Sequence, residues 1–410
     1  MTDLSTSCCI VGGGPAGMML GLLLARAGVP VIVLEKHGDF LRDFRGDTIH
    51  PSTLELMHEL GLLEKFLRLP HDEVSQLSAQ IGERIVKVAD LSHLPTRCKF
   101  IAFMPQWEFL NFLAQEARAY PTFTLLLDTQ AQALSRDGAG TIDGVLAVGP
   151  QGPFRIAAAL AIGADGRNST LRQAAGLAVE DLGAPMDVLW LRLSRKPDDP
   201  PQSLGRVAPG HLFIMLDRGD YWQCAFIIEK GGLEALKAQG LEAFREKIVG
   251  LAPVVADRIG EIAGWDDAKL LTVKVDRLRH WSRPGLLCIG DAAHAMSPIG
   301  GVGINLAIQD AVAAANLLWQ PLAQGRLTPA DLDRVQARRQ WPAKATQWIQ
   351  VQLQNRAIAP ALRSRKTFGP PWPLRLLERF ALLRRLPARL IGMGVRPEHI
   401  RSPAKREEIP

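Results

Sequence analysis

The feature that most constrains how this chain can fold lies within its first 35 residues. Gly12-x-Gly14-x-x-Gly17, with Pro15 and Ala16 inside it, stands between an apolar run at 7–11 and a second at 31–34, which Glu35 and Lys36 close. Two short buried strands joined through a glycine turn and a small-residue helix make a parallel strand–helix–strand unit. Gly12 permits the tight turn, Gly14 lets backbone approach a pyrophosphate, and Gly17 allows close packing of helix on strand. A carboxylate about 20 residues on is placed to accept hydrogen bonds from a ribose. The unit therefore binds a dinucleotide, and by itself does not say which one.

Two later segments narrow the choice. Gly163-Ala164-Asp165-Gly166-Arg167-Asn168-Ser169 follows an apolar strand at 157–162, and a helix is expected after it. It can serve as an Asp-Gly turn with Ser169 capping the helix, or as part of a ligand site. Cys288-Ile289-Gly290-Asp291 ends another buried strand, placing a carboxylate at the sheet edge where ligands of open α/β sheets bind. The stretch from Pro298 through Gly300, Gly301 and Gly303 then runs into a helix expected from about 302 to 319, whose amides and dipole suit a negatively charged ring or oxygen.

In their order and spacing, the three motifs resemble the single-component flavin hydroxylases of the para-hydroxybenzoate hydroxylase family, over nearly the whole chain. The resemblance implies non-covalent FAD, held by Gly12, Gly14, Pro15, Ala16, Gly17, Glu35 and Lys36. It gives Asp291 the ribityl chain, and gives Pro298 and the loop from Gly300 through Asn305 the flavin ring, with backbone donors near Gly303 and Ile304. Asp165-Gly166 is implied in FAD and transient nicotinamide binding, Arg45 in a flavin-contacting loop, and Gln106 beside the pyrophosphate. Pro298 and Gly301 are the residues implied nearest the chemistry, with no acid or base assigned.

The resemblance also implies an α/β fold: a Rossmann-like FAD-binding domain, an inserted and mostly antiparallel substrate sheet, and a helical C-terminal segment. Texture along the chain supports boundaries at 1–75, 100–182 and 281–345 for the first, 76–99 and 183–280 for the second, and 346–410 for the third. Alternating aromatic residues and an Asp217-Arg218-Gly219-Asp220 turn mark the antiparallel part. Seven prolines from Pro342 to Pro397 are expected to break the last 70 residues into short helices. Trp190 and Trp222, on the expected substrate sheet, and His211 are candidate pocket residues. The family's tyrosine pattern for a simple phenol has no counterpart, since the chain holds only Tyr120 and Tyr221.

The implied reaction is hydroxylation of an aromatic or heteroaromatic small molecule with NADH or NADPH and dioxygen, through a flavin C4a-hydroperoxide shielded from water. No second GxGxxG occurs, so the nicotinamide binds transiently. A double-bond reductase and a non-catalytic flavin protein are the alternatives on this scaffold, while the WxWxIP signature of flavin halogenases is absent.

Other features bound the reading. No run of about 18 or more apolar residues free of charge occurs, so a spanning helix is not expected, and the N-terminus lacks the basic start of a signal peptide. The five cysteines, with no CxxC spacing, read as reduced core residues of a cytoplasmic protein, and no metal-ligand spacing occurs. His294, at a helix entry, reads as a structural hydrogen-bonding residue, and His50 as a satisfied one. From Arg334 onward there are 17 Lys and Arg against 4 Asp and Glu, whereas the rest of the chain has 31 against 38. No nucleic-acid motif accompanies this charge. Leucines among the arginines of 370–389 form either a helix covering the flavin domain or a surface for an anionic membrane.

Overall fold

The computed structural model describes residues 3–41, 48–200, 204–366 and 369–405. Its central sheet runs in the order Ser282–Arg283, Leu286–Cys288, Gly152–Gly163, Asp3–Val11, Val31–Leu34, Phe123–Leu126, with a meander at Gln130–Arg136 and Ile142–Gly149 on the side. The first strand is parallel to both its neighbours, pairing Cys8 with Leu160 and with Val31. These strands are buried on both faces, which is why they read as unbroken apolar runs. Helix Pro15–Arg26 is buried from Ala16 through Ala25, because it lies between the sheet and helix Val302–Ala323. Gly21 makes that approach possible, since a Cβ there would stand 2.9 Å from Val33 Cγ2. The helical stretch Ile299–Ala323 is long and apolar enough to cross a membrane, but 72% of its apolar window is buried in the fold.

The second sheet has seven strands in the order Lys269–Leu271, Met186–Ser194, Tyr221–Glu229, His211–Asp217, Leu204–Ala208, Gln76–Ile81, Arg84–Asp90. All its pairings are antiparallel except that of Gly205 with Ala79. The expected turn at 217–220 joins two of these strands through Gly219 in the left-handed region (φ +79°). Period-two alternation divides the sheet into two apolar faces. Leu189, Leu191, Phe213, Trp222, Cys224 and Phe226 pack with Phe244 and Ile248 of helix Leu241–Leu251. Val188, Trp190, Leu212, Ile214 and Ile227 form the other face, together with Ile299 from the loop after the central sheet.

The α/β class with an antiparallel second sheet agrees with expectation. The C-terminal region does not break as expected at its first proline: helix Pro329–Leu353 passes through Pro342 and across the 345/346 boundary. Pro342 removes one amide at a buried position, and its own carbonyl accepts Thr346 Oγ1 at 2.9 Å, so packing outweighs the local penalty. A π-helical turn follows at Gln354–Ile358, then short helices at Ala359–Arg363, Trp372–Arg379 and Arg385–Met393. All five cysteines are free and buried.

Candidate active site

The glycine turn after the first strand leaves a cradle. Gly12 has φ +110°, and a Cβ there would meet the Ala164 carbonyl at 2.4 Å; one on Gly17 would meet the Gly12 carbonyl at 1.9 Å. A Cβ on Gly14, by contrast, would touch nothing within 4 Å. Gly14 is also the N-cap of Pro15–Arg26, and no side chain caps that helix. The site thus offers uncapped first-turn amides behind an open approach, as a pyrophosphate requires. Glu35 is held at the rim, its Oε2 accepting from Gly13 N at 3.0 Å and its Oε1 from His37 N at 3.2 Å. Lys36 points to solvent.

Across the sheet edge, Gly290 has φ +60°, and a Cβ there would stand 3.2 Å from Ala307 Cβ and 3.3 Å from Ala16 Cβ. This places Asp291 beside Arg167, whose Nη2 donates to Asp291 Oδ2 at 3.3 Å. Arg167 Nη1 is buried without a partner, and so is Asp165 Oδ1. The other Asp165 oxygen accepts from Thr170 N at 2.7 Å and Leu171 N at 3.3 Å, while Ser169 Oγ accepts from Arg172 N at 3.1 Å. The Asp-Gly segment is therefore a helix cap that also holds two buried polar atoms without a protein partner. Burial raises the Asp165 carboxyl above the usual range, although hydrogen bonds from Ser169 and the backbone offset part of this. Arg167 stands inside the Asp-Gly segment, where the sequence assigns it no role. Its contact with a residue 124 positions away left no local trace.

Two consecutive glycines shape the next loop. Gly300 (φ +76°) and Gly301 (φ +63°) are both left-handed, and a Cβ on Gly301 would stand 2.4 Å from Thr48 Oγ1. The loop opens helix Val302–Ala323, again with no side-chain cap, so the amides near Gly303 and Ile304 carry no internal acceptor from a cap. Pro298 precedes this pair in the αR region. The Asn305 side chain is turned away from the loop. Its Oδ1 accepts Ser52 Oγ at 2.6 Å and Thr53 Oγ1 at 3.2 Å from helix Pro51–Glu59.

Three buried glutamines hold this loop from behind. Gln347 Nε2 donates to the Asp276 and Ala295 carbonyls at 2.8 and 3.1 Å. Gln350 accepts from Ser297 N at 3.2 Å and donates to the Ser297 and Ile299 carbonyls at 3.1 and 3.0 Å. Gln354 Nε2 donates to Ser297 Oγ at 2.6 Å. Their spacing puts all three on one helix face, but nothing in the sequence says what that face meets.

Two buried histidines, His294 and His50, are held by structural hydrogen bonds. His294 Nε2 lies 2.6 Å from Asp310 Oδ2, and Asp310 also accepts Gly290 N at 3.1 Å and Arg339 Nε at 2.9 Å. Burial pushes the Asp310 carboxyl up, yet His294 and Arg339 outweigh it and hold it below the usual range. His50 is fully buried, and its Nδ1 donates to the Ile391 carbonyl at 2.7 Å. Burial lowers its pKa to about 4, against the opposing pull of backbone acceptors, so the ring is neutral.

A cavity of about 580 Å³ lies between residues 70–72, Phe103, Pro105 and Trp107 on one side and Arg192, Arg218, Tyr221 and Gln223 on the other. Arg218 Nε donates to Gln223 Oε1 at 3.2 Å, and the Arg192 guanidinium lies 3.9 Å over the Tyr221 ring. Gln106, next to this wall, is buried at the start of helix Gln106–Ala117. Arg45 lies outside the described residues. Of the expected pocket residues, Trp190 is on the sheet face that Ile299 packs against, with its indole N–H buried and unpartnered. Trp222 and His211 are not. Trp222 is 1% exposed on the opposite face and donates Nε1 to Asp199 Oδ2 at 2.8 Å. His211 is on that face too, its ring 5.8 Å from Phe226. Alternation assigns residues to two faces without saying which one looks toward the loop, so the sequence does not separate Trp190 from Trp222 and His211.

The FAD binding domain family profile matches residues 5–348. The chain is 34% identical to the 6-methylpretetramide 4-monooxygenase of Streptomyces rimosus over 355 residues, 86% of this chain and 84% of that one. It is 26% identical to the protoasukamycin 4-monooxygenase of Streptomyces nodosus subsp. asukaensis, over 88% of this chain and 91% of that one. Among solved structures it shares the fold of PqsL from P. aeruginosa in complex with 2-aminobenzoylacetate. The TM-score is 0.74 at 23% identity, covering 88% of this chain and 98% of PqsL.

Proposed function

This chain belongs to the FAD binding domain family and is an FAD-dependent aromatic monooxygenase, and from that premise we propose how its own residues serve the reaction. The cradle at Gly14 and the uncapped amides of Pro15–Arg26 take the FAD pyrophosphate, Glu35 a ribose, and Asp291 with Arg167 the ribityl hydroxyls. The donor set fits this ligand: acceptors face hydroxyls, amides face phosphates, and two orphaned polar atoms, Asp165 Oδ1 and Arg167 Nη1, gain partners. Pro298, the Gly300–Gly301 turn and the backbone amides near Gly303 and Ile304 would hold the flavin ring, the amides serving as donors. When bound, FAD supplies electron transfer and oxygen activation, and the protein supplies position, electrostatics and shelter from water.

The substrate is an aromatic or heteroaromatic small molecule with oxygen substituents. The observation that carries this is the 580 Å³ cavity, walled by Phe103, Trp107 and Tyr221 and fringed by Arg192, Arg218 and Gln223. Its size suits a drug-sized ligand. Aromatic walls stack on rings, and guanidinium and amide groups bind phenol, enol or carbonyl oxygens. The reductant is NADH or NADPH, bound transiently because no second glycine fingerprint is present. One oxygen atom enters the substrate and the other leaves as water. The five buried, unbridged cysteines support a cytoplasmic setting, in which any contact of the basic C-terminal segment with a membrane is peripheral.

The test is a screen of polycyclic phenols and quinolone-like compounds for stimulation of NAD(P)H oxidation. The active compound is then run under labelled dioxygen. One labelled oxygen in the product supports hydroxylation. A product two hydrogens heavier and unlabelled, formed without air from reduced enzyme, replaces this reading with double-bond reduction.

A further inference from the structure

The exposed apolar side chains of this protein are not spread evenly. Of the fifteen large ones among the described residues, six fall between 372 and 386: Trp372 at 72% exposure, Leu376, Phe380, Leu382 at 69%, Leu383, and Leu386 at 75%. Helix Trp372–Arg379 and the 3₁₀ turn Ala381–Arg384 contain no buried residue at all. They lie along Arg84–Asp90, an end strand of the second sheet, where Leu374 and Leu377 are half-buried and Ile85 adds a further 63% exposed side chain. A surface of this kind on a soluble protein marks something that covers it.

Charge says what. Between 372 and 389 stand Arg375, Arg379, Arg384, Arg385 and Arg389 against Glu378 alone. Among the described residues none of the five has a carboxylate within ion-pair distance. Arg375 and Arg384 donate to main-chain carbonyls (Pro370; Leu377 and Glu378). A second copy docking by the same face would set these arginines against each other. A nucleic acid would have no use for the leucines. Apolar side chains flanked by arginines in excess of carboxylates instead match a layer with an anionic surface and an acyl interior.

We infer that residues 372–389 dock this enzyme on an anionic lipid surface, with Trp372, Phe380, Leu382 and Leu386 entering the headgroup–acyl boundary. The docked element is also the cavity's neighbour. Ala388 and Met393 of helix Arg385–Met393 pack in one cluster with Phe103, which lines the 580 Å³ cavity. A lipid-dissolved aromatic substrate would thus be presented one layer from the site, although the docking itself does not depend on the proposed chemistry.

The experiment is co-sedimentation of the FAD-loaded full chain with vesicles of phosphatidylglycerol mixed into phosphatidylcholine, or of phosphatidylcholine alone, at low and high salt. Binding is expected to the anionic vesicles at low salt and to fall steeply with salt. Arg375→Ala/Arg379→Ala/Arg385→Ala should weaken it on the order of a hundredfold, from three basic residues near the surface. Trp372→Ala/Leu386→Ala should weaken it by tenfold or more. Both variants alter exposed side chains only, so unchanged FAD content and thermal midpoint confirm that each is folded. No binding at low salt overturns the inference, as does equal binding to both vesicle types or undiminished binding by either variant. Concentration-dependent dimerisation that these variants abolish, without lipid binding, assigns the face to a second copy instead.

Discussion

At the scale of single residues, the site depends on groups whose partners are far away in the chain. Asp291 is one. Its carboxylate is half-exposed beside Arg167, and no local element needs it. Asp291→Ala is therefore expected to purify folded but largely free of FAD, measured as flavin absorbance per polypeptide at an unchanged thermal midpoint. Full occupancy with normal reduction kinetics would remove Asp291 from the site. His50 makes a pH prediction. Its pKa is lowered to about 4 by burial, whereas the unfolded chain titrates near 6.5. The unfolded state then binds the extra proton first as pH falls. The stability contributed by neutral His50 is complete above about pH 6.5 and is lost progressively down to about 4. By pH 5 that loss is about 2 kcal/mol, and His50→Gln should flatten this part of the profile when urea unfolding is compared at pH 5 and 7.5. Parallel profiles for the two proteins would show that His50 is not the titrating group.

At the scale of elements, helix Pro329–Leu353 and the π turn after it act as the backing of the loop at Ser297–Ile299. Replacing Gln350 by Leu leaves Ser297 N and the Ser297 and Ile299 carbonyls without side-chain partners, at a cost of about 1–3 kcal/mol. A purely structural role predicts lower stability and nothing else. A positioning role predicts in addition a shifted visible flavin spectrum and a slower reduction step with FAD still bound, and stopped-flow reduction distinguishes the two. The second sheet gives a paired expectation from its two faces. Trp222→Ala, on the helix-covered face, should cost about 3–5 kcal/mol of stability and leave KM for the aromatic substrate alone. Trp190→Ala, on the face shared with Ile299, should change KM with a smaller loss of stability. Reversed results would mean that the cavity opens on the other face.

At the scale of the molecule, the C-terminal segment is tied back to the strand end at Gly290. Glu398, 5% exposed, accepts Arg338 Nε at 2.8 Å and Arg339 Nη1 at 3.3 Å, and Arg339 reaches Asp310, which holds Gly290 and His294. One buried charge network thus ties the C-terminal segment to the strand end that carries Asp291. Glu398→Ala leaves Arg339 under-compensated and should cost about 3 kcal/mol. Loss of FAD affinity should accompany it, read by flavin titration and denaturant unfolding on the same sample. A stability loss with unchanged flavin affinity would confine the network to the scaffold.

The chain's own order of residues determined the parts whose physics is local. A strand, a turn that only Gly12 and Gly17 can make, an apolar helix and a terminal acid lie within 35 residues of each other, so the nucleotide cradle was legible before any fold existed. The Gly-Asp strand end and the Gly300–Gly301 turn were legible for the same reason, since both are stretches of backbone whose conformation admits little but glycine. What tertiary structure alone decided was every pairing across long separations. Asp291 meets Arg167, Gln350 meets Ser297, and His50 meets Ile391 because folding brings those elements together, and neither partner's neighbourhood encodes the other. Alternation likewise showed that the second sheet has two apolar faces, but only docking against helix Leu241–Leu251 on one side and the Ile299 loop on the other separated Trp222 from Trp190. Pro342 makes the same point in reverse: a residue that should stop a helix is overruled because the buried face it belongs to contributes more than the one hydrogen bond it removes.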